Sequence, residues 1–210
     1  MKAKGIKELL LVSMFFDLTM DIDERTPVFS GDRKQEIKQA ATIKKQGWNE
    51  KRLSMSSHFG THIDAPFHML ENGKKLSDFR IEKFIGEAIV LPMKNGEAEV
   101  KAVKNNDIVF LFTGHTDKAY DKDFMQNNPV IKPDLAQKLI DKKVKIVGLD
   151  SYTPDNEPYE VHKMFFRKNI MIVENLVGLK PLVGKRFQCY ILPLKIKDGD
   201  GAPCRVLAVL

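Results

Sequence analysis

The sequence predicts an α/β domain in which sheet outweighs helix. Three observations carry this expectation. Short apolar, strand-like runs recur along the chain with only a few helical stretches between them. Several of these runs are apolar on both faces, as in strands covered on either side. The 210 residues suffice for one well-buried core and are short for two, so a single domain over 1–210 is expected.

Taken in order, Lys2, Lys4 and Lys7 precede an apolar run from Leu9 to Phe16. No Ala-x-Ala-like cleavage site follows, Asp17 ends the run, and it is far too short to span a bilayer. It reads as a first strand entering the core, and the protein as cytoplasmic. Asp21 to Asp32 holds Pro27 and the turn signal Ser30-Gly31-Asp32, a loop. Gln35 to Ile43 fits strand or helix. Phe84 to Pro92 reads as a strand, and Asp107 to Thr113 as a stronger one, β-branched and aromatic throughout its middle. Lys132 to Lys143 is expected to be helical, with Pro133 near its start and Leu135, Leu139 and Ile140 at helical spacing. Lys145 to Leu149 is a buried strand ending at Asp150. A short helix over Val161 to Lys168 leads into another, Asn169 to Val173, ending at Glu174. Tyr190 to Ile196 and Arg205 to Leu210 close the set, with Asp198-Gly-Asp-Gly201 as the turn between them.

Composition narrows the function classes. Hydrophobic content of 43% and charged content of 30% are those of an ordinary globular protein. The net charge of +6 comes from dispersed lysines with no long basic run, a solvated surface rather than a nucleic-acid footprint. Cys189 and Cys204 are far apart and read as free, buried thiols. There is no Gly-x-Ser-x-Gly elbow, phosphate-binding Gly-x-x-x-x-Gly-Lys loop or dinucleotide fingerprint.

The chemistry concentrates in His58-Phe-Gly-Thr-His-Ile-Asp-Ala-Pro-Phe-His68, which holds three of the five histidines beside Asp64. Imidazole and carboxylate are ordinary ligands of zinc and related divalent ions. A regular strand would hold His58 and His62 on one face but about 13 Å apart. Donors to one ion lie within about 4 Å of each other. Gly60 and Pro66 weigh against a helix. The expected solution is a chain bent at Gly60, with His62 and Asp64 on a short extended piece and Pro66 fixing the approach to His68. Other candidates are ambiguous on their own. Glu174, at the end of an apolar run, is either a metal-compensated carboxylate or an exposed strand end. His162 is equally open, and His115, after Thr113-Gly114, either lines the same pocket or lies on the surface.

Residues 58–68 match in full the His-x-Gly-Thr-His-x-Asp-x-Pro-x-His segment of the cyclase/arylformamidase family of metal-dependent hydrolases. The resemblance extends through Asp17-Leu-Thr19, Pro27 to Asp32, Glu71-Asn-Gly73, Phe84-Ile-Gly86, Thr113-Gly114, Val147 to Asp150, His162, Glu174, Leu192 to Lys195 and Pro203 to Val206. It implies a compact α/β domain with a mixed, barrel-like sheet, usually a homodimer or tetramer. It also implies two divalent ions, zinc or manganese. Residues matching His58 and His62 hold one ion, those matching Asp64 and Glu174 bridge both, and the one matching His162 holds the second. The residue matching His68 stays off the metal and carries protons. The implied reaction is hydrolysis of a C–N amide bond in a small molecule, either a formamide resembling N-formylkynurenine or a cyclic amide resembling isatin. A metal-dependent binding protein without turnover is the alternative class. Two departures bear on substrate. Phe29-Ser-Gly-Asp32 stands where bacterial kynurenine formamidases have Trp-Pro-Gly-Asp, and His115 where many members have Trp. Phe29 and His115 are therefore the expected substrate-binding positions, with neither a nucleic-acid nor a membrane partner.

Overall fold

A computed structural model describes residues 13–29, 31 and 34–210. The first half of the expected first strand, Leu9 to Val12, with Ser30 and Asp32 of the early loop, lies outside the described residues. What is described of that strand is short: β1, Phe15–Asp17, at a sheet edge with Phe15 exposed rather than in the core.

Seven strands close into a barrel. They are β4 (His62–Asp64), β5 (Ile85–Pro92), β6 (Ile108–Phe112), β7 (Ile146–Leu149), β8 (Met171–Glu174), β9 (Arg186–Pro193) and β10 (Gly201–Val209). Their order around the ring is β10, β4, β8, β7, β6, β5, β9 and back to β10. β5 to β8 run parallel, and the remaining pairings are antiparallel. This is the mixed, barrel-like sheet that the family resemblance implied. β10 makes closure possible: Gly201 to Pro203 pair with β4, while Cys204 to Val209 pair with β9 on the other edge.

Both faces of the parallel strands are buried. Val90, Ile108, Phe110 and Val173 pack with Ile191 and Val206 in one core. Their neighbours Ile89, Leu91, Val109, Leu111 and Ile172 pack in a second, with Leu135 and Leu139 of helix α2 (Pro133–Asp141) and Phe165 of helix α3 (Glu160–Phe166). Two buried faces explain why these strands read as continuous apolar runs. No helix among the described residues is long and apolar enough to cross a membrane.

The structure shifts three expectations. Gln35 to Ile43 resolves into β2 (Glu36–Ala41) and the start of the one-turn helix α1 (Ile43–Gln46), with β2 paired antiparallel to β3 (Glu50–Ser54) in a separate hairpin. β9 starts four residues earlier than Tyr190, because Phe187, Cys189 and Ile191 alternate with polar residues that dilute the apolar signal. β10 begins at Gly201, inside the expected turn.

Candidate metal centre

β4 lies between β10 and β8, with His62 opposite both Pro203 and Glu174. Residues two apart on a strand share a face, and directly opposed residues on neighbouring strands do too. His62, Asp64 and Glu174 therefore point the same way, while Ile63 fills the barrel core on the other side. All three polar side chains are buried.

His58 reaches the same place through the expected bend. Gly60 takes φ +62°, a left-handed conformation that glycine adopts without strain. Thr61 pins the bend: its hydroxyl donates to the Asn175 carbonyl at 2.6 Å and accepts from the Met20 amide at 2.8 Å. Beyond β4, Pro66 starts the 3-10 turn Pro66–His68, which brings the His68 ring to 3.9 Å from that of His58. His162 comes from α3. Asp155 accepts from the Val161 amide at 2.6 Å at the start of that helix and also from His162 Nδ1, leaving Nε2 turned towards Glu174 and Asp64.

The distances have a pattern. His62 Nε2 is 3.3 Å from Asp64 Oδ1 and 3.4 Å from Glu174 Oε2. His162 Nε2 is 3.4 Å from Glu174 Oε1 and 4.0 Å from Asp64 Oδ2. Each carboxylate thus offers one oxygen to His62 and the other to His162. Two donors held about 2.1 Å from a tetrahedral ion stand about 3.4 Å apart. The 3.3–3.4 Å spacings suit ligands of a shared ion better than good hydrogen bonds, whereas His58 Nδ1 stands at hydrogen-bond distance, 2.7 Å, from Asp64 Oδ1. Each imidazole is also oriented through its other nitrogen. His62 Nδ1 donates to the Gly60 carbonyl at 2.9 Å, His162 Nδ1 to Asp155, and His58 Nε2 to Asp200 at 2.8 Å. That outer arrangement is the usual support of metal-bound histidine. The donor set therefore fits divalent ions. Among the described residues two groups bring donors within reach of one ion, His62 with Asp64 and Glu174, and His58 with Asp64 and His68; neither joins His58 to His62.

The charges are strongly coupled. Burial alone would push the His58 imidazole down, but Asp64 at 2.7 Å and Asp200 hold it at about 9. His162 is likewise raised to about 9 against its burial by Asp155 and Glu174. His62 is raised well above its ordinary value against burial, by Asp64 and Glu174. Asp64 is driven well below the carboxylate range despite burial, by His62 and His58. His68 differs: burial and the neighbouring histidines lower it. It is the one imidazole of the cluster that favours the neutral form, and its nearest carboxylate oxygen is Asp200 Oδ2 at 3.8 Å.

A cavity of about 590 Å³ opens over the cluster, lined by His58, His62, Asp64, His68, His162 and Glu174. Phe29 lines it too, stacked on Tyr152 with centroids 5.6 Å apart. His115 does not line this cavity. It stacks on Phe124, donates from Nε2 to that residue's carbonyl at 2.7 Å, and reaches the wall only through Phe124 and Tyr152. Sequence reasoning missed Asp200 and Asp155. Asp200 sits between two glycines and read as an ordinary turn. The signal for Asp155 was weak, an acidic residue shortly before a helix that carries a histidine.

A family model described as a putative cyclase matches residues 16–156. The kynurenine formamidase of Bacillus mycoides is 30% identical over 93% of this chain and 97% of its own length. That of Bacillus cereus is 28% identical over the same shares. Among solved structures, an isatin hydrolase bound to a product analogue, thioisatinate, covers 94% of this chain and 92% of its own with a TM-score of 0.84. At 21% identity, that likeness speaks to the fold alone. A structure described as a potential metal-dependent hydrolase with cyclase activity gives 0.78 at 26% identity, covering 94% and 98%.

Proposed function

The chain belongs to the cyclase family of metal-dependent hydrolases, and from that premise we propose that it acts as one domain to hydrolyse the C–N bond of a small aryl formamide resembling N-formylkynurenine. The observation that carries the proposal is the split orientation of Asp64 and Glu174, each with one oxygen towards His62 and the other towards His162. His58 and His62 would hold one ion, His162 the other, and the two carboxylates would bridge. Nitrogen and oxygen donors without thiolate suit zinc or manganese. When bound, such ions supply Lewis-acid polarisation and activation of water near neutral pH.

The chain's own residues do the rest. His68 is half-buried and favours the neutral form, so it can take a proton and return it to the leaving nitrogen. Asp200 orients His58 through a hydrogen bond at 2.8 Å and stands 3.8 Å from His68 Nδ1. The Phe29–Tyr152 stack gives an aromatic ring a flat wall to pack against. The substrate reading follows the names of the curated relatives. The isatin hydrolase fold keeps a cyclic amide as the second reading. Turnover of N-formylkynurenine and isatin by metal-loaded protein separates the two, and failure on both with metal confirmed would leave the non-catalytic alternative.

We also propose that the protein self-associates. The β2–β3 hairpin is almost wholly exposed and presents Leu53, with Ile43 and Trp48 at its tip. Isolated two-stranded hairpins are marginal in water, and apolar residues grouped on one gain by being covered. A cytoplasmic enzyme of small-molecule metabolism is the setting that this reading supposes.

A further inference from the structure

The entry ends of the parallel strands, opposite the histidine cluster, form a second cavity of about 290 Å³. Its lining includes four lysines, Lys83, Lys143, Lys145 and Lys168, with Asn106, and no acidic side chain. Lys83, Asn106 and Lys145 lie one to two residues before β5, β6 and β7, so the barrel topology itself gathers them. The loops are tied together: the Asn106 amide donates to the Lys143 carbonyl at 3.0 Å, and the Lys145 amide to the Asp107 carbonyl at 2.9 Å.

This is more than a lysine-rich surface. Lys145 is buried, with its ammonium donating to the carbonyls of Ile85 and of Glu82, the latter at 3.3 Å. Gly86 makes room for it, since a Cβ there would stand 2.6 Å from Lys145 Nζ. Burial pushes the Lys83 ammonium down to about 8, and its charged neighbours, Lys145 and Lys74, push the same way. Among the described residues Lys83, Lys143 and Lys168 have no carboxylate partner. The nearby acids are engaged elsewhere, Asp107 with Arg186 at 2.6 Å and Glu82 with Arg80 at 3.0 Å.

We propose that this mouth of the barrel binds a phosphate group. Gathering like charges without counter-ions is unfavourable, and a compact, multiply charged oxyanion relieves it. Ammonium groups act on phosphate as point charges, and the four in this lining suit a compact anion carrying more than one charge better than a single carboxylate. The phosphate is either the free ion or part of a small metabolite.

Calorimetric titration of the metal-loaded protein with inorganic phosphate, pyrophosphate and AMP tests this. One binding event per chain is expected, weakening as salt rises. It should weaken about tenfold or more in Lys83→Met and Lys168→Met and survive in Lys83→Arg and Lys168→Arg. Tighter binding of AMP than of phosphate identifies a metabolite, and the reverse identifies the free ion. No binding of any of the three overturns the proposal. So does wild-type affinity in both Met variants, since binding at the metal centre would persist there. A wild-type measurement stands beside these: phosphate should protect Lys83 and Lys168 from acylation, read by peptide mass spectrometry, and unchanged labelling contradicts the site.

Discussion

Asp64 and His68 stand four residues apart in the chain, and the proposed reaction divides holding metal and moving protons between them. Asp64 faces His58, His62 and His162 at once. Asp64→Ala is expected to lose both bound metal and turnover. His68→Ala should keep metal, measured by elemental analysis, and lose about 10²- to 10⁴-fold in kcat; full turnover with metal retained would remove His68 from the reaction. Asp200→Asn keeps the size of the side chain but removes the charge that His58 Nε2 meets at 2.8 Å. An outer partner of this kind is worth about 10- to 100-fold in metal affinity or activity, so an unchanged metal Kd and kcat would show that Asp200 only shapes a turn. The core of the site was legible at this scale because three histidines and an aspartate within eleven residues have few other uses. Asp155 and Asp200 were not legible, because an acidic residue in a loop is commonplace until the fold shows which ring nitrogen it faces.

Strand pairing, rather than local sequence, brings Glu174 to the site. It ends β8 directly opposite His62 on β4, more than a hundred residues earlier in the chain. Its sequence neighbours mark it only as a charged residue after an apolar run, the family resemblance alone singles it out, and the register is what points it to the cluster. The parallel strands were readable because both faces are apolar. β3 was not, since all five of its residues are exposed and carry no period-two pattern. Closure of the barrel also packs β10 tightly against the site. A Cβ at Gly201 would stand 2.8 Å from both His58 Cε1 and the Ile63 carbonyl. Gly201→Ala should therefore displace His58 or loosen the β10–β4 pairing. The expected result is metal affinity weakened about tenfold with a lowered Tm, a strain of order 1–3 kcal/mol. Wild-type values for both would mean that the neighbouring strand yields freely.

At the scale of the molecule, the proposed reading has one buried cluster hold positive charge either as protons or as metal. In metal-free protein the carboxylates hold His58 and His162 at about 9, above the ordinary 6.5. Their pairing stabilises the fold fully below about pH 6.5 and is lost as pH rises towards 9. Metal competes for the same donors, so its affinity climbs over that window as protons leave. The gap in Tm between metal-loaded and chelated protein should widen from pH 6.5 to 9, and a constant gap would contradict this coupling. Sedimentation should find self-association that weakens when Trp48 and Leu53 are replaced by Ser, whereas a monomer at every concentration would leave the hairpin without that role. The most direct test of the metal-dependent chemistry is N-formylkynurenine hydrolysis followed on one sample before chelation, after it, and after return of zinc or manganese. The arrangement of Asp64 and Glu174 predicts loss on chelation and recovery as two ions per chain rebind. Undiminished hydrolysis by protein shown to be free of metal would contradict it.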